Sequence, residues 1–210
     1  MARKNMAACV VEQSIAAFCA ILAANAGAAA GFPRKRHGEQ TMSTKSNNTQ
    51  AGASASGRGA GQDAIALLIA DHREASDIFE EFENLGDRAK ASKKKLADKV
   101  CKALVIHTMI EEEIFYPALR AAMKDKDMQD KLDEAVVEHA AAKDLIRQIQ
   151  EMDADEDLYD AKVKVLGEEI EHHVEEEEKE MFPKVQKSDL DLVALGQEMA
   201  LRKQELQDTL

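Results

Sequence analysis

His107-Thr108-Met109-Ile110-Glu111-Glu112-Glu113-Ile114-Phe115-Tyr116-Pro117 returns later in the chain as His173-Val174-Glu175-Glu176-Glu177-Glu178-Lys179-Glu180-Met181-Phe182-Pro183. In both copies a Glu follows the His by four residues and a Pro follows it by ten. Each copy is preceded by a further histidine at nearly equal distance, His72 lying 35 residues before His107 and His139 lying 34 before His173. Those two histidines follow acidic residues, Asp71 and Glu138. Such self-similarity marks an internal duplication of a two-helix unit. Its dyad would bring four imidazoles and two carboxylates together.

Outward from these segments the apolar spacing is helical. Ile65, Leu68, His72, Ala75, Phe79 and Phe82 form one stripe, with Gly86 as its stop. Leu96, Val100, Leu104, His107, Glu111 and Ile114 form a second, which Pro117 should end or kink. The third is Leu132, Ala135, His139, Ala142, Ile146 and Ile149, closed by the acidic run from Asp153 to Asp157. The fourth is Val163, Leu166, Ile170, His173, Glu177 and Met181, closed by Pro183. A fifth amphipathic helix is expected from Asp189 to about Leu206, with Ser188 as N-cap and Leu192, Leu195, Met199 and Leu206 facing inward. Short connections make neighbours antiparallel. The expected fold is all-α, an up-down-up-down four-helix bundle over residues 63–186 with an additional C-terminal helix over 187–210.

In every one of the four stripes the histidine falls on the apolar face. His107/Glu111 and His173/Glu177, spaced i and i+4, each present two donors inward about one turn apart. An uncompensated carboxylate in a bundle core costs several kcal/mol by order of magnitude. Metal cations would neutralise Glu111 and Glu177 and also use the imidazole lone pairs. Six residues are too many for one tetrahedral zinc, whereas two carboxylates on opposed helices can bridge a pair of ions. Mixed nitrogen and oxygen donors suit iron first, with manganese and zinc behind it. Each ion would keep open positions for a bridging oxygen and an exogenous ligand.

Composition excludes several classes. The net charge of −12 argues against a nucleic-acid partner or an anionic membrane surface. Cys9, Cys19 and Cys101 form neither a C-x-x-C pair nor a disulfide framework, and Cys101 reads as a small core residue.

From about residue 63 to 186 the chain resembles the hemerythrin-like, or HHE cation-binding, domain family. The resemblance is carried by Ala70-Asp71-His72, by His107-x-x-x-Glu111-Glu112 with its Phe115-Tyr116-Pro117, by Glu138-His139, and by His173-x-x-x-Glu177-Glu178 with Met181-Phe182-Pro183. It implies a non-haem di-iron site that binds dioxygen or related small molecules. His72, His107, His139 and His173 would be terminal ligands, and Glu111 and Glu177 would bridge. The third helix departs from the oxygen carriers, which have a second histidine one turn away, where this chain has Ala135 and Lys143. Glu138 or Glu134 is an alternative helper ligand, reversible oxygen carriage is put in doubt, and room is left for peroxide chemistry. His172, five residues before Glu177, is an alternative to His173, although the Pro register favours His173. Phe115 is expected in the core and Tyr116 partly exposed with a solvated hydroxyl. One or two of Glu112, Glu113, Glu175, Glu176 and Glu178 are expected to hold the outer nitrogen of a ligating imidazole.

The expected function is therefore a di-iron protein that binds or senses dioxygen or another small diatomic or peroxide ligand, as a monomer or homodimer. The alternatives are a di-iron enzyme that decomposes peroxide or reduces nitric oxide, and a metal-free helical interaction module. Residues 1–62 read as a tail or leader. Residues 1–26 resemble an export signal with Ala24-Asn25-Ala26 as cleavage site, but the preferred reading starts the native chain at Met42, preceded by Gly38-Glu39, a pair that a ribosome-binding purine run can encode. The expected location is then cytoplasmic, and exported under the alternative.

Overall fold

The computed structural model describes residues 63–210. The readings made for the leader and for a start at Met42 lie outside the described residues.

Helix α1 spans Ala64–Glu83, opened by the Asp63 carboxylate accepting from the Ala66 amide at 2.8 Å. It ends on Asn84, so Gly86 lies beyond the stop. Helix α2 spans Lys90–Ile110, passes into a π-helical turn at Glu111–Phe115, and continues as α3, Tyr116–Ala122. Helix α4, Lys126–Gln150, is capped by Asp125, whose side chain accepts from the Met128 amide at 3.0 Å. Helix α5, Tyr159–Glu176, repeats the pattern of α2, with a π turn at Glu177–Met181 followed by α6, Phe182–Val185. Helix α7 spans Leu192–Thr209.

The long helices pack α1 on α2, α2 on α4, α4 on α5 and α5 on α1, which closes a four-helix bundle, and α7 lies on α1, α2 and the first π turn. The stripes predicted for α4 and α5 are buried at all twelve positions. Each fully buried Leu or Ile contributes about 1.5–3 kcal/mol, so the bundle has an apolar core of its own. Cys101 is part of that core, and burial pushes its thiol up to about 12.

Five expectations need correction. On α1, Ile78 is buried and Phe79 is half-exposed. On α2, Leu96 is half-exposed, and the run from Leu104 to Glu111 is buried on all sides because α7 covers the face that would otherwise meet water. The cap of α7 is Asp191, which accepts from the Ala194 amide at 3.0 Å, whereas Ser188 Oγ donates to the Val185 carbonyl at 2.6 Å and closes α6. Gly196, Met199 and Leu206 are the buried positions of α7, with Leu192 and Leu195 half-exposed. Finally, Pro117 and Pro183 do not end their helices. The Tyr116 amide donates to the Glu111 carbonyl and the Phe182 amide to the Glu177 carbonyl, five residues back. Each Pro then sits in the first turn of the next helix, where a missing N–H costs little.

Candidate metal centre

The six side chains singled out by the sequence meet in the middle of the bundle. His72 comes from α1, His107 from α2, His139 from α4 and His173 from α5, while Glu111 and Glu177 open the two π turns. All six are buried. His107 Nε2 lies 3.2 Å and His139 Nε2 3.4 Å from Glu111 Oε2. His72 Nε2 lies 3.4 Å and His173 Nε2 3.7 Å from Glu177 Oε2. The donors fall into two groups, one of His72, His107, Glu111 and Glu177 and one of Glu111, His139 and His173, with Glu111 common to both.

Every imidazole is oriented from behind by a carboxylate on its Nδ1. His107 faces Asp71 at 3.5 Å and His173 donates to Glu138 at 2.7 Å, each within its own half of the duplication. His139 donates to Glu112 at 2.9 Å and His72 to Glu178 at 3.0 Å, each across to the other half. The pattern fixes the tautomer and leaves all four Nε2 lone pairs inward, the arrangement that metal-ligating histidines require. Glu113, Glu175 and Glu176 hold none of these nitrogens. Glu138 lies on the outer side of His173, away from the inner groups, and Glu134 is exposed. His172 is exposed and His173 takes the inner place.

The electrostatics call for a cation. Burial, then the charge of Glu177, lifts the Glu111 carboxyl well above its ordinary value. Burial also acts to raise Glu177, but its neighbours His72, His173 and His107 outweigh that and hold it low. Burial pushes His107 down to about 4 and lowers His139, so these rings are neutral. Burial also acts to lower His173, but the hydrogen bond to Glu138 and the charges of Glu177, Glu138 and Glu176 together outweigh it and raise that ring. His72 Nε2, both Glu111 oxygens and Glu177 Oε2 are buried with no hydrogen-bond partner. An unsatisfied buried polar atom costs about 1–3 kcal/mol, and four of them share one spot. Divalent cations satisfy all four at once, so the residues fit a metal.

Tyr116 departs most from expectation. The π turn adds a residue to the α-helical count, which rotates Ile114 and the residues after it by roughly 100° about the helix axis. Ile114 moves to a half-exposed place, and Phe115 and Tyr116 become buried. The Tyr116 hydroxyl donates to Glu177 Oε1 at 2.9 Å and lies 3.4 Å from His139 Nε2. Its signal in the sequence was Pro117 itself, standing inside an apolar spacing that runs on to Leu119. A cavity of about 140 Å³ reaches His72, His107, His139 and His173, with Ile170 and Val174 on its wall and Lys203 and Gln207 of α7 on its rim. A water needs about 10–15 Å³ of such space, so the cavity has room for several waters or a small molecule.

The model of the hemerythrin HHE cation-binding domain matches residues 63–185. The chain belongs to this family. Its match ends before α7. Among solved structures, a hemerythrin HHE cation-binding domain-containing protein from Mycobacterium kansasii, described as a Rv2633c homolog, is similar at 25% identity and a TM-score of 0.58, covering 70% of this chain and 88% of that one. Comparison with the curated proteins finds no match. A cation-binding helical bundle is thus the family setting of the centre. No helix among the described residues is long and apolar enough to cross a membrane.

Proposed function

We propose that this hemerythrin-family chain holds two iron ions between His72, His107, Glu111, His139, His173 and Glu177, and binds dioxygen or a related small molecule in the adjoining cavity. The observation that carries the reading is the shared position of Glu111 in two donor groups, with unpartnered buried atoms on both carboxylates. Nitrogen and oxygen donors in this ratio suit iron, and manganese and zinc less well. Iron so held supplies open coordination positions and redox change for small oxygen species. The chain's own part is to aim the four imidazoles and to pack buried rings against them, Phe182 on His72 and Phe115 on Phe182, which keeps bulk water away.

A second reading, peroxide decomposition or nitric oxide reduction, is favoured by one observation. Tyr116 brings a buried O–H to within hydrogen-bond reach of Glu177, beside His139, and a proton donor inside the centre serves turnover more than reversible binding. Stopped-flow spectroscopy of the reduced, iron-loaded protein separates the two, with oxygen in one arm and peroxide in the other. A stable, reversible adduct supports binding, and sustained consumption supports the enzyme. Elemental analysis giving a single zinc per chain that iron does not displace would sink both.

A further inference from the structure

The four carboxylates behind the imidazoles are not equally supported. Asp71 is paired with Lys203, Glu112 with Lys143 at 2.6 Å, and Glu178 with Arg73 at 3.8 Å. Glu138 alone has no Lys or Arg partner among the described residues, its one ion-pair partner being His173. What stands beside it is His172 and Glu176, one turn apart on α5, with ligand atoms of all three residues within 4.8 Å of one another. His172 Nε2 and Glu176 Oε1 are 3.7 Å apart, too far for a hydrogen bond. Where the other three carboxylates meet a positive side chain, this one therefore meets an imidazole and a second negative charge.

We propose that Glu138, His172 and Glu176 form a separate exterior site for one divalent transition-metal cation, which takes the place of the basic side chain present at the other three corners. One imidazole and two carboxylates are the donors that Zn²⁺, Mn²⁺ and Fe²⁺ accept, and two carboxylates balance a double charge. His172 is 65% exposed, so water completes the coordination and the ion exchanges readily. Glu138 belongs to both sites, because one of its oxygens already accepts from His173 Nδ1 at 2.7 Å. An ion on Glu138 draws density from the carboxylate that orients His173, so filling the outer site perturbs the inner one. That coupling rests on the inner di-iron reading, whereas the outer site does not.

The test uses the full chain with its inner centre loaded with iron, dialysed against zinc chloride, with iron and zinc counted separately. Wild type is expected to carry one zinc more than the His172→Ala variant. Brief chelation should remove that zinc and leave the iron. Glu176→Lys, which supplies the ammonium that Lys143 gives to Glu112, should also lack the extra zinc and keep its iron and its melting temperature. Equal zinc in wild type and His172→Ala overturns the site. A zinc difference in a protein that holds no iron keeps the outer site and removes the inner reading. The visible absorption of the iron centre should shift when zinc is added to wild type and stay fixed in His172→Ala, and no shift in wild type overturns the coupling.

Discussion

Residues 71–117 and residues 138–183 carry the same donors at nearly the same spacing, yet they finish the centre differently. Tyr116 and Phe182 hold matching places, each one residue beyond a π turn and each stacked on a histidine. Tyr116 lies 5.5 Å from His139 and Phe182 5.9 Å from His72, centroid to centroid. Only the first carries a hydroxyl, and that hydroxyl takes one oxygen of Glu177, while both oxygens of Glu111 stay unpartnered. The corresponding imidazoles differ as well, with His107 held low by burial and His173 raised, against burial, by Glu138, Glu177 and Glu176 together. Duplication thus accounts for the six candidate donors, and the copies differ in the groups set around them.

The largest effects should come from what the halves share. Glu111→Ala and Glu177→Ala each remove a carboxylate set between imidazoles of opposite halves, and the purified variants are expected to retain almost no iron. His72→Ala should retain part of it, since water can replace one terminal donor. Either Glu variant holding a full iron complement by elemental analysis would break the bridging assignment. Chelated wild type should remain helical by circular dichroism but melt at lower temperature, because binding energy is lost and the apolar core is not.

Next in size is the Tyr116/Phe182 difference. Tyr116→Phe makes the halves alike and is expected to keep iron while peroxide consumption falls about a hundredfold, the usual weight of a placed proton donor. Phe182→Tyr should leave that rate near wild type. Unchanged consumption in Tyr116→Phe would reduce the hydroxyl to packing.

The two oppositely shifted histidines predict a pH signature for the metal-free protein. His107 falls from 6.5 to about 4 on folding, so between those values the unfolded chain binds more protons and stability drops as pH falls. The full loss is on the order of 3 kcal/mol. His173 is raised, so its contribution is complete below its unfolded value and is lost as pH rises through the folded one. Thermal melts from pH 7 to 4 should therefore flatten in His107→Asn, whereas His173→Asn should change the slope only above the unfolded value of 6.5. Identical slopes would erase this distinction between the halves. Smallest of all, Glu176→Ala should leave inner iron and melting temperature unchanged, within about 0.5 kcal/mol for a surface site.

The bundle was legible because four stripes keep a helical period and each places its histidine on the buried side. The choice of His173 over His172 was legible too, since only His173 keeps the Pro spacing of the first copy. What was not legible came from register and from tertiary cover. A π turn shifts Ile114 outward and Tyr116 inward without altering any residue type, so a strict 3.6 period misplaced both. The burial of Leu104 to Glu111 on every side depends on where α7 docks, which no local pattern encodes. Asp71 and Glu138 stood out beside their histidines, but that Glu112 and Glu178 would reach across to the opposite half depends on the packed dyad alone.

Helix α7, outside the family match, is held over the cavity by charge. Lys203 bonds Asp71, Arg202 bonds Glu113 at 2.8 Å, and Lys102 donates to the Gln207 carbonyl at 3.3 Å. Two of these three ties are ion pairs that dissolved salt weakens, whereas the apolar seats of Met199 and Leu206 do not respond in that way. A rise in ionic strength should therefore loosen the charged ties while the apolar seats hold, and amide hydrogen exchange along α7 in low and high salt would check how the two kinds of support divide.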